Sequence, residues 1–142
     1  MSKLSELIDQ ALKEDTTVYA PVSFGNIYNV VSQKIIADTN VDCKGADVQI
    51  TAYDVSHIFK GHSVDAEKKA GRGQIGVTKE DFDFIKQIIF EYDTVEKGKD
   101  VRRSEGLKFT KRIAGIEYYI TVSVDGHPPN RKMVVKTMYK RI

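Results

Sequence analysis

Leu107-Lys-Phe-Thr-Lys-Arg-Ile-Ala-Gly-Ile-Glu-Tyr-Tyr-Ile-Thr-Val-Ser-Val124 is the stretch on which the fold turns. From Leu107 to Ile113, and again from Ile116 to Val124, β-branched and aromatic residues alternate with polar ones, as half-buried strands require. Ala114-Gly115 between them leaves room only for a tight turn, so the two runs form a hairpin. Outward from the hairpin, Thr94–Lys97 and Lys132–Tyr139 show the same pattern, the latter reached through Asp125-Gly-His-Pro-Pro-Asn130. The spacing predicts an antiparallel meander of about four strands.

Upstream the period becomes helical. Leu4, Leu7, Ile8 and Leu12 make one apolar stripe over residues 3–14, and Ile27, Val30, Val31 and Ile35 another over about 26–38, with Asn26 as its cap. Asp15 to Gly25, with Pro21, reads as a connector holding at most a short extended stretch, and Val48-Gln-Ile50 as a brief strand. Thr51-Ala-Tyr-Asp54 and Thr78-Lys-Glu-Asp81 each match a capping box. The first opens a helix with Val55, Ile58 and Phe59 inward that stops at Gly61; the second opens a helix to about Glu91. Ser63 to Gly76 reads as a polar loop with Gly71-Arg72-Gly73 at its tip. Helices first and strands last make an α+β domain, helices packed on a twisted antiparallel sheet. Residues 1–45 form a helical extension to a unit over 46–142, the two making one compact body.

At 142 residues, 41% of them hydrophobic, the chain can bury a core without staples. No apolar run approaches a membrane span and the N-terminus lacks the apolar core of a signal peptide, so the reading is a cytoplasmic protein without a membrane partner. Cys43 is the sole cysteine, which excludes an internal disulfide and a Cys-based zinc site. The net charge of +2 conceals an asymmetry: residues 1–98 hold 11 Lys/Arg against 16 Asp/Glu, residues 99–142 hold 11 against 4. Arg102, Arg103, Lys136 and Lys140 belong to the basic part, and with Arg72 they are candidate phosphate contacts. Alternating Lys and Arg on strands can equally form a solvated, edge-guarding sheet face.

The chemistry lies in Ser56-His57-Ile-Phe-Lys60-Gly-His62, which holds two of the three histidines with a lysine between them. Imidazole both takes and gives a proton near neutral pH, so a close pair suits metal-free cleavage of RNA. Residues five apart on an unbroken helix point roughly 140° from each other; a stop at Gly61 would free His62 to swing toward His57. Lys60 reads either as a solvated helix lysine, the commoner case, or as a cation able to stabilise a pentacoordinate phosphate. By strand parity Thr137 and Tyr139 share one face, with Thr137 able to orient a phosphate, whereas Lys136 and Lys140 share the other. The same parity separates Tyr118 from Tyr119, one for the core and one free to stack on a base. His57, His62 and a neighbouring carboxylate show no recognised metal-ligand spacing, so neither a metal nor another cofactor is expected.

With these residues placed, the chain resembles the phage-associated nucleases of the barnase, EndoU, colicin and RelE-like superfamily. These occur as domains of phage head-morphogenesis and polyvalent proteins and of bacterial polymorphic toxins. The resemblance rests on His57-Ile-Phe-Lys-Gly-His62, Arg72-Gly-Gln-Ile-Gly-Val-Thr-Lys-Glu-Asp-Phe82, Tyr92-Asp-Thr-Val95, Glu117-Tyr-Tyr119 and Val135-Lys-Thr-Met-Tyr-Lys140, in that order over residues 46–142. It implies a toxin-like, metal-independent endoribonuclease acting in the host cytosol after delivery by a phage or toxin system, often on tRNA. It also implies His57 and His62 as the helix histidines and Thr137 as the hydroxyl of the last strand, with Lys136 and Tyr139 beside it. Whether a cognate immunity protein or a host target is a partner stays open from sequence. The alternative is a catalytically inactive binding module on the same scaffold that inhibits a host or defence protein or associates with the phage particle.

Overall fold

The computed structural model describes residues 2–13, 20–99 and 104–142. Among these residues five α-helices and a six-stranded sheet make an α+β fold. The helices are α1 (Lys3–Leu12), α2 (Asn29–Thr39), α3 (Ala52–His62), α4 (Val64–Ala70) and α5 (Ile85–Phe90), the last continuing a 3-10 segment, Lys79–Phe84. The strands are β1 (Val22–Asn26), β2 (Asp47–Ile50), β3 (Thr94–Lys97), β4 (Glu105–Ile113), β5 (Ile116–Asp125) and β6 (Lys132–Arg141). They run in the order β1-β2-β6-β5-β4-β3, antiparallel except that β2 and β6 are parallel.

The hairpin forms as its pattern demands. Leu107, Phe109, Ile120, Val122 and Val124 lie on the inner face with Met133, Val135 and Met138 of β6, all 3% exposed or less. Ala114 (φ 51°) and Gly115 (φ 81°) make the left-handed turn, the hand that continues the right-handed strand twist. Phe82, Ile85, Ile88 and Ile89 cover the inner face of β4 and β5, and α3 packs Val55 and Ile58 inward beside β6.

Both Thr-x-x-Asp stretches open their elements, the one at Thr78 as a reciprocal capping box. Thr51 Oγ1 accepts the Asp54 N–H at 3.1 Å, and the Asp81 carboxylate accepts the Thr78 N–H at 2.7 Å. Several expectations need correction. The meander gains β1 and β2 beyond β6, so residues 22–45 furnish an edge strand and α2 rather than a purely helical extension. Asn26 ends β1 instead of capping α2, whose N-cap is Tyr28 without a side-chain hydrogen bond. The loop after His62 contains α4, capped by the Ser63 hydroxyl on the Ala66 N–H at 3.2 Å. Gly61 does not stop α3, which runs through His62.

Asp81 binds the 3-10 segment to the sheet. It accepts the Tyr118 O–H at 2.8 Å and pairs with Lys140 Nζ at 2.8 Å, both charged side chains being less than a tenth exposed. This hydrogen bond and burial push the Tyr118 phenol well above its ordinary value, burial first. Lys140 is therefore a buried structural cation and not a contact for nucleic acid. Gly76 brings its loop against α4: a Cβ there would lie 2.2 Å from Val64 Cα, while Val77 N–H donates to the His62 carbonyl at 2.7 Å.

Candidate active site

The outer face of β4, β5 and β6 is the opposite of the core face in composition. Its register rows place Lys108, Thr121 and Thr137 side by side, then Thr110, Tyr119 and Tyr139, then Arg112, Glu117 and Arg141. Hydroxyls, tyrosines and cations share one surface, with α3 along the flank of β6.

Register decides what β6 presents. Thr121 pairs with Thr137 but Val122 pairs with Val135, so Lys136 is an extra residue in β6. A bulge re-aims the side chain it carries. Strict alternation puts Lys136 opposite Thr137; the bulge instead brings both to one cavity of about 470 Å3, with Tyr53, His57, Ser104 and Ser123 also on its wall. Lys136 Nζ stands 3.5 Å from Asp54 Oδ1. Asp54 is buried, and its other oxygen accepts the Thr51 O–H at 2.7 Å. One carboxylate thus serves both the start of α3 and the lysine at the bulge. His57 lies one turn along α3, exposed, its ring near-parallel to Tyr53 at a centroid separation of 6.3 Å.

His62 meets β6 two residues further on. Its ring stacks on Tyr139 at 5.6 Å, and Tyr139 stacks on Tyr119 at 4.7 Å. Lys108 Nζ lies 5.0 Å and the Arg141 guanidinium 5.2 Å from the Tyr119 ring centre, close enough for cation–π attraction. Tyr119 donates its O–H to Glu117 Oε1 at 2.5 Å, and that bond raises the phenol pKa.

Behind His62 is a residue the sequence did not single out. Glu67 on α4 is 4% exposed; its Oε2 sits 3.0 Å from His62 Nδ1 and its Oε1 accepts Arg72 Nε–H at 3.1 Å. Burial alone would raise its pKa, but the His62 and Arg72 hydrogen bonds outweigh it and hold the carboxyl below its usual value. A carboxylate on Nδ1 makes that nitrogen the donor and leaves Nε2 of the neutral ring as an acceptor. The spacing of Glu67, five residues after His62, looked like nothing because the contact needs α4, which a polar, glycine-flanked segment concealed.

The histidines therefore do not converge through a flexible Gly61. Each addresses a different residue of β6: His57 the cavity at Thr137, His62 the ring of Tyr139. Lys60 is exposed in a shallow groove with Leu12 of α1. Arg72 spends its guanidinium on Glu67 and on the Gly61 carbonyl, 2.9 Å away. Arg102 and Arg103 lie outside the described residues. Among the described residues no three His, Cys, Asp or Glu side chains gather as a metal-holding group, and no helix is long and apolar enough to cross a membrane.

No curated protein and no solved structure matches the chain. Residues 25–141, from the end of β1 through β6 and so including α3 with its two histidines, match the family model described as phage-Barnase-EndoU-ColicinE5/D-RelE like nuclease3; the chain belongs to that family.

Proposed function

We propose that this protein is a metal-independent endoribonuclease that cleaves RNA, tRNA included, by attack of a ribose 2′-OH on the adjacent phosphodiester. The observation that carries the reading is the meeting of His57, Lys136 and Thr137 at one cavity, with Glu67-bound His62 on the same stretch of β6. Thr137 and Tyr139 are two residues apart on one face, about 7 Å, so a phosphate seated on Thr137 has an imidazole available on either side.

Nε2 of His62 takes the 2′-OH proton while the 2′-oxygen bonds to phosphorus; Glu67 holds the ring and stabilises the imidazolium that forms. Lys136, and Lys108 across the sheet, offset the charge of the pentacoordinate phosphate. The P–O5′ bond breaks as His57 protonates the departing oxygen, leaving a 2′,3′-cyclic phosphate and a 5′-OH. The tyrosines and cations of the outer face hold flanking nucleotides by stacking and charge. Such an enzyme acts as a toxin where it meets RNA, in the host cytosol, and an immunity protein would have to cover this face.

Purified protein should cleave tRNA in EDTA, generating cyclic phosphate ends, and a 2′-deoxy nucleotide at the cleaved position should block cleavage there. His57→Ala and His62→Ala should each slow cleavage by a factor of roughly 10²–10⁴, the usual contribution of a positioned acid or base. Unchanged rates in both variants would reject the histidine assignment. RNA left intact by the wild-type protein would reject the enzyme and favour the inactive binding module.

A further inference from the structure

The cavity beside His57 has a part that proton transfer and phosphate binding do not use. Away from Lys136 its floor is Ser123 on β5, and there it joins a second cavity of about 360 Å3; both share Ser104, Ser123, Lys136 and Thr137. Ser123 is 9% exposed and its Oγ is buried with no hydrogen-bond partner. A buried hydroxyl without a partner is uncommon, and one facing a cavity is where a ligand atom would complete the bonding. Its register neighbour on β4 is Gly106, where a Cβ would lie 2.3 Å from the Lys99 carbonyl oxygen, so backbone at Gly98 and Lys99 rather than a side chain walls this end.

Two further groups border this end. Asp125 accepts the Ser104 hydroxyl at 2.5 Å. Tyr53, 64% exposed, presents an unburied ring at the mouth. The lining offers a nucleotide what its parts need: an aromatic ring for the base face, a carboxylate and hydroxyls for the base edge, a lysine and a threonine for the phosphate.

We infer that this recess is a nucleoside subsite, in which a base lies against Tyr53 and its edge is read by Asp125 and Ser123. A carboxylate accepts from exocyclic amino groups, which guanine, adenine and cytosine possess; uracil has none and offers only its N3–H between two carbonyl oxygens that the carboxylate repels. The subsite prefers amino-bearing bases over uracil. This assignment rests on the RNA-cleavage reading for the phosphate's place at Lys136 and Thr137, yet binding tests it without any turnover.

Isothermal titration with the four 3′-nucleoside monophosphates is the experiment. 3′-GMP, 3′-AMP and 3′-CMP should bind roughly tenfold more tightly than 3′-UMP, the low end of what one base-edge contact discriminates. Asp125→Asn, which keeps an oxygen for Ser104, should bring 3′-UMP to within about twofold of the others. Ser123→Ala should weaken the amino-bearing nucleotides with thermal unfolding unchanged, and Tyr53→Ala should weaken all four alike. Equal affinity for all four in the wild-type protein, or a preference untouched by Asp125→Asn, overturns the subsite. Selective nucleotide binding without RNA cleavage would keep the subsite and sink the enzyme; cleavage indifferent to base and to Asp125→Asn would do the reverse.

Discussion

Lys140 and Lys136 lie four residues apart on one strand, and the structure gives them opposite roles. Lys140→Met tests this most directly. The substitution removes an ammonium 2.8 Å from Asp81 in an environment where both side chains are less than a tenth exposed. Breaking a buried pair from one side costs about 3–5 kcal/mol, because a charge is left buried without its counter-charge. Asp81 would keep the Tyr118 O–H and the Thr78 N–H, which places the loss at the lower end, about 3 kcal/mol. For a chain of this length that corresponds to a fall in Tm of roughly 6–12 °C. Urea unfolding followed by circular dichroism should show a lower midpoint at unchanged slope. Adding Asp81→Asn to Lys140→Met should recover part of the loss, since no uncompensated charge then remains. Lys136→Met removes a half-exposed ammonium 3.5 Å from buried Asp54, which keeps the Thr51 O–H; it should cost about 1 kcal/mol or less, well under the Lys140→Met loss, while lowering RNA affinity and reducing its salt slope by about 1. A Lys140→Met protein of wild-type stability with weakened RNA binding would refute the reasoning and return Lys140 to the outer face.

Glu67 ties stability to acid. Its pKa lies below the ordinary 4.5 in the folded protein, so the stability its carboxylate contributes is complete above that value and is lost as pH falls through the folded one. Against Glu67→Gln, the wild-type advantage in urea midpoint should be present at about pH 6 and shrink toward about pH 3; a difference independent of pH would show that the charge contributes nothing. Gly76→Ala should be strongly destabilising, more than about 2 kcal/mol, because the new methyl meets the backbone of Val64, which has no rotamer to change. Thermal unfolding within a degree or two of wild type would mean the 75–77 segment does not sit against α4 as described.

The parts legible in the sequence were those governed by local rules. The Ala114-Gly115 turn needs two left-handed residues in succession, and the residues that accept this are few. The two Thr-x-x-Asp stretches are local hydrogen-bond patterns, and both elements began on them. β1 was legible only as a short extended stretch inside a connector, because it is brief, follows Pro21 and carries Gly25 at φ 110° with an irregular register to β2. Gly61 was a reasonable stop, but Arg72 satisfies its carbonyl and Ser63 ends the helix instead. The site divided along the same line. Thr137 and Tyr139 share one face of β6 as their parity suggested, whereas His57 and His62 both reach its flank from an α3 that runs unbroken through Gly61, without the stop their spacing was read to need. Lys136 could not be placed, since a bulge shifts parity by one and leaves no mark in alternation. Glu67 was invisible for a different reason: its partners are assembled only when α4 folds back on the end of α3.

β6 holds the middle of the sheet, between parallel β2 and antiparallel β5, yet it is made after every other strand. A ribosome releasing this chain frees residues 132–141 only once the other five strands are already out, and before then neither half of the sheet has its seam. The surface bearing Lys136, Thr137 and Tyr139 thus forms only after the other five strands have left the ribosome, and the two halves of the sheet wait for this one strand to join them.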